Sequence, residues 1–152
     1  MANVKRPLVA GGASGITQFS QGDAMPVANV AILVTDPGGS AITTGDGKAY
    51  LRINDYVTGM NLIAVGASVS TVSSSGIPTV QLRRVRAGSP ADMLSTKLTI
   101  DASETDSSTA ATPAVIDAAN DDVLTGDQIH IDIDVAGTGA KGLCITLVFQ
   151  TP

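Results

Sequence analysis

Nucleophilic catalysis needs a base beside its nucleophile, and this sequence of 152 residues offers one histidine, His130, and one cysteine, Cys144. His130 stands in an alternating run between Gln128 and Asp132, on the polar side of that run. A surface or interface imidazole is expected there rather than a base. Cys144 is expected to be a small, half-buried thiol. No Gly-x-Ser-x-Gly elbow exposes a serine. One His and one Cys are too few for a structural zinc site, and a lone cysteine excludes an intrachain disulfide. Gly137-Thr138-Gly139-Ala140-Lys141-Gly142 superficially looks like a phosphate-binding loop. It lacks the required spacing and has strand patterns on both sides instead of a following helix.

The acids are unevenly placed. Nine of them lie between Asp101 and Val135, a stretch with no Lys or Arg, whereas eight of the nine basic residues lie in the first hundred positions. Asp117, Asp121 and Asp122 with carbonyls could in principle hold calcium, but no EF-hand spacing supports it, and solvated loop acids are the plainer reading. Paired-carboxylate sugar hydrolysis also needs a cleft, and the aromatics that often line one are scarce: Phe19, Tyr50, Tyr56 and Phe149 are the full set. The sequence therefore points to no enzyme, no cofactor and no metal.

Arg83, Arg84 and Arg86 form the main basic cluster. On a strand, Arg84 and Arg86 share one face and Arg83 takes the other. The net charge of −5 and the lack of nearby aromatics argue against nucleic acid. Arginine binds carboxylates bidentately, so docking onto the acids of a neighbouring subunit is expected. Lys5 and Arg6 join the candidate docking residues.

These side chains must be carried by strands. The chain is 43% apolar, its length suits one domain, and its apolar residues recur with period two. Val30, Ile32 and Val34 share a face, as do Ala49, Leu51 and Ile53. Ile63, Val65, Ala67 and Val69 form a third such set, and Leu94, Leu98 and Ile100 a fourth. Ile129, Ile131, Ile133 and Val135 alternate with polar residues, and Leu143, Ile145, Leu147 and Phe149 close the chain. Residues 129–135 and 143–149 flank the glycine-rich loop and read as a hairpin. On the last strand Cys144, Thr146 and Val148 lie opposite the buried face. That second face is less polar than a solvated strand needs, so another chain is expected to cover it. Residues 113–119 are the only helical candidate, with strand or coil equally open.

Turn signals between the runs, and a long connection over residues 101–125, predict an all-β, two-sheet antiparallel sandwich of jelly-roll or Greek-key type. It spans residues 27–152. Residues 1–26 read as an extended N-terminal arm, with Pro7, Pro26 and a Gly11-Gly12-Ala13-Ser14-Gly15 run, and one short strand near residues 16–19. No signal peptide follows Lys5-Arg6, and no run is long and apolar enough to span a membrane. A protein made in a cytoplasm, with no membrane partner, is expected.

Two segments resemble structural modules of tailed-bacteriophage virions. One is Ile42-Thr43-Thr44-Gly45-Asp46-Gly47-Lys48-Ala49-Tyr50-Leu51-Arg52-Ile53. The other lies within residues 114–149, above all Leu124-Thr125-Gly126-Asp127 and the glycine-rich loop with Leu143. Such modules occur in capsid decoration (cement) proteins and in head, neck or tail fibres. The resemblance implies a jelly roll, commonly trimeric, and carries no active site with it. A short chain without a repeated shaft fits a decoration protein that binds the major capsid protein on the outer capsid surface. A fibre or receptor-binding module is the alternative, and a polysaccharide-degrading enzyme ranks third.

Overall fold

A computed structural model of the chain describes the strand backbones at residues 8–11 and 15–18 and the whole of residues 27–152. Twelve strands follow one another. They are β1 (Leu8–Gly11), β2 (Gly15–Gln18), β3 (Val27–Leu33), β4 (Gly45–Arg52), β5 (Asn61–Ser68), β6 (Thr79–Arg86), β7 (Ser89–Asp92), β8 (Leu94–Thr96), β9 (Leu98–Thr99), β10 (Val115–Ile116), β11 (Gln128–Val135) and β12 (Cys144–Gln150). Among the described residues the only helical element is a short 3-10 turn at Ser107–Thr109. Residues 113–119 supply β10 and a turn instead.

All strand pairs are antiparallel. The two larger sheets run β4-β11-β6-β7, with β9 also on β6, and β3-β12-β5, while β8 pairs with β10 and β1 with β2 in two-stranded sheets. The chain crosses between the sheets from β3 to β4, β4 to β5 and β5 to β6. It then returns so that β11 lies between β4 and β6, and β12 between β3 and β5. That interleaving of late strands between early ones is the jelly-roll order.

The inner faces meet as the alternation requires. Ile129, Ile131 and Ile133 from one sheet and Ile145, Leu147 and Phe149 from the other are buried in a common core, with Leu82, Met93 and Leu143. With so few aromatics, branched aliphatic side chains fill this space, as suits two pleated surfaces packed face to face.

Four details depart from the sequence reading. Ile63 is 48% exposed and Leu62 is buried in its place. The register against β12 shifts between Val148 and Phe149, so a bulge turns Ile63 outward. Val135 is likewise exposed, because the β11 register shifts after Ile133.

Residues 129–135 and 143–149 do not form a hairpin: β11 and β12 belong to different sheets. The intervening loop carries the chain across the sandwich. Two of its positive-φ glycines, Gly137 and Gly142, serve close approach. A Cβ on Gly142 (φ +65°) would lie 2.9 Å from Pro37 Cα. Backbone bonds from Ile42 N to Ala140 O (2.8 Å) and from Ser70 N to Lys141 O (2.9 Å) anchor the loop.

The N-terminal segment holds two paired strands, β1 and β2, rather than one. Leu8 pairs with Gln18 and Gly11 with Gly15. Lys5, Arg6 and Phe19 lie outside the described residues. β3 begins at Val27.

Candidate functional site: a charged sheet end and an uncharged sheet face

The three arginines are brought together with acids of their own chain. The cause is register. Gln128 of β11 pairs with Val85 of β6, so Asp127, one residue earlier, comes opposite Arg86. Arg86 Nη2 meets Asp127 Oδ2 at 2.7 Å, and Nε lies 3.0 Å from Oδ1. This is the bidentate fork that arginine makes with a carboxylate. Arg86 Nη1 also reaches Asp122 Oδ2 at 2.9 Å.

Arg84, on the same strand face, is 8% exposed. It donates to the Asp122 carboxylate, to Asp122 O at 2.6 Å and to Asn120 O at 3.2 Å. Arg83, on the other face, pairs with Asp132 at 2.8 Å, and Asp46 is 3.8 Å away. Asp132 is itself buried and accepts Gly47 N–H.

The expectation that a neighbour supplies these acids is thus corrected. The acidic loop after β10 folds back over the end of β6 and supplies Asp122, and β11 supplies Asp132. The face assignment of Arg83 against Arg84 and Arg86 matches the structure.

The electrostatics follow from the same contacts. Burial pushes the Asp127 carboxyl up, but the hydrogen bonds from Arg86 and from Leu124 N–H outweigh it and hold the group below the usual carboxylate range. Asp122 is also lowered: burial raises it, and Arg86 and Arg84 together overcome that. The Arg86 guanidinium is raised in return, chiefly by Asp127. Asp117 accepts Ala119 N–H and Asn120 Nδ2–H, which hold it below its ordinary value. Two of the three acids weighed for calcium are therefore engaged with the protein. Among the described residues no group of three or more His, Cys, Asp and Glu is placed to hold a metal ion.

His130 Nε2 contacts Gln128 Oε1 at 2.9 Å, and its ring lies 5.9 Å from that of Tyr50. Cys144 is in the other sheet, so the structure does not bring these two residues together.

Cys144, Thr146 and Val148 are half-buried and alternate with the buried Ile145, Leu147 and Phe149. They form the middle row of the outer face of β3-β12-β5. Cys144 pairs with Leu33 and Ser68, Thr146 with Ala31 and Gly66, and Val148 with Asn29 and Ala64. None of these residues is charged. Leu33 and Val27, at the two ends of the β3 row, are 59% and 55% exposed.

Sequence reasoning found the middle row and missed the two flanking ones. The signal was present: β3, β5 and β12 contain no Asp, Glu, Lys or Arg on either face. A solvated antiparallel face normally carries polar and charged side chains. Among the described residues β3 pairs only with β12, so there it is an edge strand without the lysine, proline or bulge that ordinarily protects one.

No protein-family model matches the chain, and neither the curated proteins nor the solved structures contain a significant match.

Proposed function

We propose that this protein is a non-enzymatic structural subunit of a tailed-phage virion. In this reading it is a capsid decoration protein that forms a trimer and binds the major capsid protein on the outer surface of the shell. The observation that carries this reading is the uncharged outer face of β3-β12-β5, which is built to be covered by protein rather than by water. Its non-catalytic character is supported by the use made of the reactive groups. The arginines and their carboxylates hold one end of the sandwich together, and His130 and Cys144 sit in separate sheets.

The virion assignment rests on the resemblance of residues 42–53 and 114–149 to phage modules. Both fall on structural elements of the sandwich: β4, and the loop, turn and strand that deliver Asp122 and Asp127 to the arginines. The N-terminal segment is assigned to docking as a unit separate from the sandwich.

Electron micrographs of virions labelled with antibody to the protein test the location. Label over the whole shell is expected. Label confined to the neck or tail would replace the decoration reading with that of a fibre module. Virions without label would remove the chain from the particle.

A further inference from the structure

The hairpin β1–β2 shares the chemical character of the uncharged sheet. From Pro7 to Gly22 the sequence contains no charged residue. The hairpin pairs Val9 with Thr17 and Ala10 with Ile16 in a two-stranded sheet of its own, and among the described residues it is joined to no strand of the sandwich. An isolated two-stranded hairpin is marginal in water and needs a surface to pack on. The outer face of β3-β12-β5 is such a surface, and among the described residues no other sheet packs on that side of it. Each piece has what the other requires, yet within one chain they are not joined into one sheet.

We propose that the hairpin β1–β2 of one copy docks on the uncharged face of a second copy of this chain, so that each subunit gives one hairpin and receives one. This deepens the proposed self-association and rests on it. Three strands of seven or eight residues present a face of about 300 Å² from ordinary strand spacing and rise. A stable interface takes about 800 Å² from each partner, so face against face alone falls short. Exchange engages every subunit twice, once as donor and once as acceptor.

Reach permits it. Residues 19–26 join the hairpin to the edge strand β3, and eight extended residues span up to about 28 Å. That exceeds the roughly 23 Å length of the face itself. Contact between two different patches, donor and acceptor, is heterologous and closes into a ring when the rotation allows. This is the symmetry a trimer needs.

Cys144 gives the test a built-in probe on the acceptor face. Full-length chains carrying Val9→Cys or Ala10→Cys together with Cys144→Ser are co-expressed with the wild-type chain. The assembled protein is then treated with a short bis-maleimide. In these mixtures a link between the introduced thiol and Cys144 can form only between two chains, and peptide mapping identifies it. The expected result is that link, from at least one of the two hairpin positions. In single-variant chains that keep Cys144, a link found only within one chain would overturn the exchange in favour of the hairpin covering its own face. No link from either position would also overturn it. Sedimentation of the same samples separates the two levels of failure. An oligomer without the link removes the exchange and leaves self-association standing, whereas a monomer removes both.

Discussion

The sheet β4-β11-β6-β7 carries Arg83, Arg84, Arg86, Asp132 and most of the strand-borne charge, while β3-β12-β5 carries none. Both sheets contribute equally alternating apolar residues to the same core. They differ on their other surfaces. In the first, guanidinium groups and carboxylates are paired within the chain. In the second, no side chain of the outer face is charged, and its polar members include the neutral Asn29, Ser68 and Thr146. Charge clustered in a sequence drew attention to the first sheet as a docking surface. The structure shows that a charge cluster can be internal cement, with Arg83, Arg84 and Arg86 all paired to acids of their own chain; the face without charge is the one proposed for contact.

Breaking the internal network gives the largest expected effect. Asp127→Ala leaves the Arg86 fork and Leu124 N–H without their acceptor. Removing one partner of a buried pair typically costs 3–5 kcal/mol. Arg86 is partly exposed, so a loss of about 3 kcal/mol is expected in urea unfolding.

The loop that joins the two sheets comes next. Gly142→Ala combines a positive φ with an approach to backbone at Pro37. About 2 kcal/mol of destabilisation is expected from strain and displacement, read as a lower urea midpoint.

On the uncharged face the pattern reverses. Val148→Lys should leave the stability of the isolated subunit within about 0.5 kcal/mol and weaken self-association at least about tenfold, which is 1.4 kcal/mol. Sedimentation and urea unfolding of one preparation measure both.

The smallest effect is expected at Asp46. Its side chain is 76% exposed and lies 3.8 Å from Arg83. Asp46→Ala should change stability by less than about 0.5 kcal/mol, as for other exposed pairs.

Acid sharpens the same contrast. Asp122 and Asp127 are lowered in the folded state. Their contribution is therefore complete above the ordinary aspartate value of about 3.9 and is lost as pH falls through the folded values. The urea midpoint should hold between neutral pH and about pH 5 and fall below about pH 4. Asp127→Asn should flatten that fall.

The fold class was legible because period two is visible wherever one face is buried. Ile129, Ile131 and Ile133, and Ile145, Leu147 and Phe149, could be assigned to the core directly. The bulges at Ile63 and near Val135 were not legible, since one inserted residue leaves no mark on composition. The loop at residues 136–143 was misread because glycines with positive φ serve a crossing between sheets as well as a reversal within one. The partners of Arg83, Arg84 and Arg86 depended on long-range register: Asp127 meets Arg86 only because Gln128 pairs with Val85. The middle row of the candidate face was readable from Cys144, Thr146 and Val148. Its extension across Ala31 and Gly66 required knowing that β12 lies between β3 and β5.

The uncharged face is proposed as an interface between copies of the chain. Sedimentation equilibrium of the full-length protein at micromolar concentration tests it most directly. The account predicts a species of three times the 15.3 kDa chain mass, unchanged by moderate salt because the contact is uncharged. A single species at 15.3 kDa across that concentration range would contradict it.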